Sequence, residues 1–390
     1  MTFSLPTELE AVRDAARKAL GRLRPADNAT AAPGNFLFSA QRSDAGRLLP
    51  AYYLVYFLLV DLLGFKNLGR FEKIDWSLPV DLDGRAFLIE HRKFGVGIFV
   101  EKLPEDEAPA AEIVHLISKA ITIAEPYFQW LADKAATTSN INVNNRSREL
   151  YDQYRYFADD AQKKITAAKL NEKERIVTLL PNGGETWQVP SLALKREAKW
   201  LRLAAVEQFF SWTEHIFIHF TILSGKIATG DKVAELASQQ WADKYKAAIG
   251  LDDPVSKLFY DQLIILRRQV RNFVAHGSFG KDGEALHFHS SAGAVPMLLT
   301  DRGSKSQLSF GTGLDFDDEA AIALVEQFIG HLWAGPREPA KIYIQESSLP
   351  LILTYAQDGS YQKAMCSVEN MIQFADHLGD LFDRHANMDF

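Results

Sequence analysis

The stretch Asp253–Gly277, DPVSKLFYDQLIILRRQVRNFVAHG, decides how the chain is read. Asp253 can cap a helix and Pro254 fits its first turn, while Gly277 suits the left-handed position that ends one. Between them Phe259, Leu263, Leu266, Val270, Phe273 and Val274 recur at spacings of three and four, so they share one helical face. Arg267, Arg268, Arg271, Asn272 and His276 fall on the opposite arc. From Arg267 to His276 that arc holds three arginines and no carboxylate to pair with them. Like charges at helical neighbours destabilise an isolated helix, so such a face calls for an anion such as a phosphate.

Working outward, 390 residues exceed one ordinary core and lead us to expect several domains. Hydrophobic residues at 47% and charged residues at 24% are globular composition rather than disorder. A net charge of −7 and a pI near 5.8 argue against a general nucleic-acid or anionic-membrane coat, though they leave room for a local basic site. One cysteine, Cys366, rules out an internal disulfide framework and fits a reducing cytoplasm. The first residues lack the apolar centre of a signal peptide and read as an amphipathic helix after Pro6. Ala51–Val60 is the most apolar run, but it lies between Pro50 and Asp61, well short of the ~20 residues a span needs. It reads as a buried helix. The expectation is a cytoplasmic protein with no membrane partner.

The fold class expected is α+β, mostly α-helical. Residues 1–104 form an N-terminal α+β region with strands at Ala86–Glu90 and Phe94–Val100. Residues 105–144 form a helical connector, and residues 145–335 a helical bundle. Helices are expected in the bundle at Ser147–Leu170, Ser191–Lys226, Asp231–Ala248 and Asp315–Trp333. A strand is expected at Glu284–His289. Residues 336–390 form a C-terminal piece, with a β-hairpin at Leu351–Ala364 around Asp358-Gly359 and a last helix at Ser367–His385.

At the end of a helix inside such a bundle, Arg271-Asn272-x-x-x-His276 resembles the Arg-x4–6-His motif of HEPN domains, in which a polar residue often follows the arginine. The aromatic helix upstream, with Glu207 and Glu214, agrees with that resemblance, which covers about residues 145–335. It implies a metal-independent endoribonuclease, acting as a homodimer with no cofactor, that attacks a phosphate through the ribose 2′-OH and leaves a 2′,3′-cyclic phosphate. Carried over, His276 is the general acid or base, Arg271 stabilises charge on the phosphoryl oxygens, and Asn272 orients one or the other. Arg267, Arg268, His287 and His289 are the expected substrate-binding residues. The setting that HEPN proteins commonly occupy is that of a toxin or anti-phage defence, with an antitoxin or regulatory protein as partner. The alternative within the resemblance is a non-catalytic module that binds RNA, nucleotide or protein and dimerises.

Five positions on an unbroken helix span ~500°, which leaves Arg271 and His276 ~140° apart. They meet on one phosphate only if the helix loosens at Gly277 or a second subunit completes the site.

Other features carry weaker chemistry. His287 and His289 point to one face of a strand, which suits a metal only with a third ligand. His215 and His219, at i and i+4 among aromatics, read as packing, because Glu214 precedes them and the HExxH order is absent. Asp81, Asp83, Glu90 and Lys93 resemble the acidic-acidic-lysine set of metal-dependent nucleases, with spacing that departs from it; charged residues on an exposed sheet face also explain them. Lys163, Lys164 and the stretch Lys169–Arg175 form a locally basic segment that reads as a solvated face or a track for RNA.

Overall fold

The computed structural model describes residues 5–181, 183–275, 286–299, 308–311 and 316–388, except for the side chains of 272–275 and 299. It is a mostly helical α+β protein in two units, residues 1–138 with 376–390 and residues 139–375. Residues 105–137 thus belong to the first unit and residues 336–375 to the second. No helix of the described residues is long and apolar enough to cross a membrane.

The first unit begins with α1 (Thr7–Ala19), β1 (Leu23–Pro25), α2 (Phe36–Ser39), β2 (Gln41–Arg42) and α3 (Tyr52–Tyr56). The apolar run continues from α3 as a π-helical turn, Phe57–Leu62, that buries Leu58, Leu59 and Leu62. Next come β3 (Ile74–Leu82), β4 (Arg85–Arg92) and β5 (Gly95–Val100), then α4 (Glu107–Ile123) and α5 (Glu125–Thr137). The strands make one antiparallel sheet in the order β1-β3-β4-β5-β2. Asp83 and Gly84, both at positive φ, form the tight turn between β3 and β4.

Strand β3 was not expected from the sequence, because Pro79 interrupts it. The Pro79 carbonyl accepts from the Ala26 amide, so its ring nitrogen also faces away from β4 and no rung of the β3–β4 ladder is lost. The helical connector expected over residues 105–144 is two helices, divided at Ala124, because Pro126 cannot donate to the preceding turn.

Alternation along β3 and β4 sends Leu78, Val80, Phe87 and Ile89 into the main core. The opposite face carries Ser77, Asp81 and Glu90. Contrary to the reading of an exposed charged face, Glu90 is buried: the Ser77 hydroxyl donates to it at 2.8 Å and Arg92 Nε at 2.7 Å. Asp81 sits four residues along β3 from the rung that joins Ser77 to Glu90, ~13 Å away. It accepts from the Gly84 amide, while Lys93 reaches Asn387. Asp81, Glu90 and Lys93 therefore do not form one site.

The second unit opens with β6 (Asn142–Val143) and α6 (Ser147–Leu170). A small antiparallel hairpin follows, β7 (Ile176–Leu179) and β8 (Glu185–Gln188), and leads into α7 (Pro190–Leu223). From Ala205 to Leu223 α7 is apolar on nearly every side, the pattern of a helix packed all round. Around it lie α8 (Gly230–Ser238), α9 (Trp241–Ala248), α10 (Pro254–Ala275) and, after the sheet β9 (Leu286–Ser290), β10 (Gly293–Leu299) and β11 (Leu308–Phe310), α11 (Asp318–Leu332). The single helix expected over Asp231–Ala248 is two, because Gln239 and Gln240 are extended. That break lets Trp241 turn inwards, where its Nε1 donates to Thr213 Oγ1 at 2.9 Å.

Ring contacts join Phe209, Phe217, Trp241, Tyr245, Phe259 and Phe328 into one aromatic core. Polar clasps fix the helices around it. Asp253 caps α10 through the Ser256 amide at 2.9 Å, Asp317 caps α11, and buried Arg202 of α7 pairs with Asp318 at 2.9 Å.

The chain then forms α12 (Glu338–Lys341), β12 (Leu351–Ile352), α13 (Leu353–Gln357), α14 (Ser360–Ala364) and α15 (Val368–Asn387). The β-hairpin expected around Asp358-Gly359 is instead two short helices. Asp358 accepts from the Ser360 amide at 2.8 Å and Gly359 takes φ 81°, so Asp-Gly joins helix to helix as readily as strand to strand. Of that hairpin only Leu351–Ile352 is strand, and it pairs with β6.

His215 and His219 are the packing residues the sequence suggests. The Arg146 amide donates to His215 Nε2 at 2.9 Å, a bond that requires a neutral ring. His219 lies between the carbonyls of His215, at 2.8 Å, and Asn144, at 3.0 Å. Burial pushes His215 down to about 3, with His219 and Arg146 adding to the effect, and burial pushes His219 down to about 4. Both folded-state values lie below the ordinary ~6.5, so an unfolded chain takes up protons first as pH falls. The stabilisation is complete above pH ~6.5 and is lost towards the folded-state values, at about 2 kcal/mol for His215 by pH ~5. The expected result is a lower urea midpoint for this unit at pH ~5 than at pH ~7, and a smaller drop in His215→Gln, whose amide can accept the same bond. Equal drops in the two proteins would contradict this.

Candidate functional site

The Arg271 side of α10 faces α7 across a cleft of about 590 Å3. Glu207, Ser211 and Glu214 of α7 line one wall, and Arg267, Arg268 and Arg271 of α10 the other. Both sets follow the three-and-four spacing of a single helical face, so helix periodicity alone aligns them. Gln240, from the extended break before α9, closes one end.

The arginines are not equivalent. Arg267 is half-buried, with Nη2 3.1 Å from Glu214 Oε1 and its guanidinium 5.9 Å and 6.0 Å from the Phe210 and Trp241 ring centroids. Burial is the main influence lowering its pKa; Glu214 opposes it and the like charge of Arg271 adds to it. A guanidinium stays charged regardless. The other oxygen of Glu214 lies 3.5 Å from Nζ of Lys244, which is only 5% exposed. The expectation that the arginine face has no carboxylate is thus corrected: Glu214 of α7 meets Arg267, and Asp261 shares the arc two turns before Arg268. Arg268 and Arg271 are exposed on the cleft wall.

Of the residues expected to act, Arg271 is placed in the cleft beside Arg267 and Arg268. Asn272 is in the last turn of α10, with its side chain among those not described. His276 lies outside the described residues. His287 and His289 are exposed on one face of β9, opposite Pro296 and Ala294 of β10. Residues 276–285, which join β9 to α10, are likewise outside the described residues.

The sequence reading missed how Glu214, Lys244 and Arg267 join. The available signal was the seven-residue spacing of Glu207 and Glu214 on an otherwise aromatic helix.

A second hollow, of about 380 Å3, lies in the first unit among Tyr52, Tyr53, Tyr56 and Trp76. Its polar side chains have partners: Arg70 Nε donates to Asp75 at 3.2 Å, and Asn67 Oδ1 accepts from the Ser77 amide at 3.2 Å. Among the described residues, no three His, Cys, Asp or Glu side chains converge as metal ligands. No family model, curated protein or solved structure matches the chain.

Proposed function

We propose that the α7–α10 cleft is the site of a metal-independent endoribonuclease of HEPN type that works as a dimer. The observation that carries the reading is the meeting of Arg267, Arg268 and the motif's own Arg271 on one cleft wall; Asn272 and His276 follow in the sequence. Glu214 neutralises the innermost arginine and holds it still, while Arg271 is exposed on the outer part of the wall, where an anionic backbone can reach it.

In the proposed reaction a base removes the ribose 2′ proton, and the 2′ oxygen forms a bond to the adjacent phosphorus. The P–O5′ bond breaks, and the leaving oxygen takes up a proton from an acid. The products are a 2′,3′-cyclic phosphate and a 5′ hydroxyl. His276 supplies acid or base function and Arg271 balances charge on the non-bridging oxygens. On an unbroken helix these two side chains diverge by ~140°, so a second copy that presents its own motif is the simplest way to complete one site. Toxin or defence roles, with a restraining protein partner, follow from the resemblance alone.

Mapping the ends of RNA treated with the purified protein in EDTA tests the chemistry. Cyclic phosphate and 5′ hydroxyl ends are expected. Cleavage only with added metal would overturn the reading, and RNA binding without cleavage would assign a non-catalytic module.

A further inference from the structure

The β7–β8 hairpin is built unlike the helices that flank it. All eight of its strand residues are exposed, yet most of its larger side chains are apolar. Val177, Leu179 and Trp187 share one face by register and are 57%, 73% and 59% exposed. Ile176 lies on the other face at 48%, and Leu180 leads into the turn at 42%. A two-stranded hairpin gains little stability in water, and one with so exposed an apolar face is unusual without a medium to cover it.

Charge narrows what that medium is. Residues 161–200 carry eight Lys and Arg against four Glu and no Asp, a net +4 in a chain of −7. Two of the cations are neutralised in place, Lys164 by Glu197 at 2.7 Å and Lys195 by Glu172 at 3.6 Å. Arg175 at the foot of β7 lies over the Trp187 ring, 5.3 Å from its centroid. Cations therefore gather at the base of the hairpin, below a tip of Leu179, Leu180 and Pro181 with Glu185 across from Leu179. A second copy would bring another basic collar of like charge against this one. Single-stranded nucleic acid would find one tryptophan on the hairpin but aliphatic side chains elsewhere, which offer no stacking surface.

We infer that the β7–β8 hairpin is a docking element for an anionic lipid surface. The Leu179–Pro181 tip enters the interfacial layer with the Val177 and Trp187 face, while the basic collar meets the headgroups. This is a surface contact, not a span, and it modifies the expectation of no membrane partner. It is independent of the cleft, since Pro190 and Ser211 lie ~30 Å apart along α7.

Flotation of the full-length protein with vesicles tests it, using phosphatidylcholine alone and phosphatidylcholine mixed with phosphatidylserine. Binding is expected only to the mixed vesicles and should weaken as salt rises. Leu179→Asp with Leu180→Asp should abolish it, and Lys173→Glu with Arg175→Glu should weaken it about tenfold or more. These side chains are exposed, so an unchanged thermal transition confirms that the variants remain folded. Failure of the parent protein to bind mixed vesicles, or binding retained by the aspartate variant, would overturn the inference. So would a dimer, seen by light scattering, that these substitutions dissociate, or RNA binding that the collar variant loses while vesicles never bind.

Discussion

Arg271→Ala is expected to lower kcat/KM for RNA cleavage by about 10²–10³ while leaving the protein folded. The size follows from the role assigned to it, a preorganised cation aimed at charge that develops in the transition state. Its exposure makes the substitution nearly silent for stability, within about 0.5 kcal/mol. Arg271→Lys should recover only part of the loss, because an ammonium lacks the planar fork that fits two phosphoryl oxygens. The proposed dimer adds a sharper expectation. Arg271→Ala and His276→Ala chains, each inactive alone, should regain activity when mixed, since a mixed pair can hold one intact combination. Kinetics of the single and mixed proteins decide this. If the mixture stays as inactive as its components, each site is built within one chain.

Glu214→Ala should act first on stability. Glu214 stands between Arg267, at 3.1 Å, and Lys244, at 3.5 Å, and Lys244 is nearly buried. Removing the carboxylate leaves that ammonium without its partner, and breaking a fully buried pair in this way costs about 3–5 kcal/mol. Glu214 keeps about a third of its side chain in water, so a cost of about 2 kcal/mol is expected, read as a lower urea midpoint for the second unit. Glu214→Ala paired with Lys244→Met should recover much of the loss, since the orphaned charge is gone. An unchanged midpoint in Glu214→Ala would show that the three groups do not act together. RNA cleavage by Glu214→Ala should also fall, by less than in Arg271→Ala, because Arg267 loses the partner that fixes it.

How much of this was legible in the sequence depended on the range of the forces involved. α6, α7, α10 and α11 were readable because apolar spacing and the capping signals of α10 and α11 act within a few residues. Local signals failed where tertiary packing decides. The inward turn of Trp241 breaks the expected Asp231–Ala248 helix. Pro79 is tolerated in β3 because of where β1 ends. Asp358-Gly359 fits two kinds of turn, and packing selects the helical one.

The site follows the same division. The cationic arc of α10 was visible from spacing, but its counter-ion comes from α7, 53 residues away, and no pattern within α10 could announce it. Likewise Glu90 looked like a surface charge until the Ser77 rung and Arg92 placed it in a buried hydrogen-bonded pair.

Cleavage of RNA in the presence of EDTA, compared between the parent protein and His276→Ala, tests the central claim most directly. Chelator-resistant cleavage by the parent is expected, with a loss of about 10²–10⁴ in the variant. Cleavage that EDTA abolishes, or that His276→Ala retains in full, would contradict it.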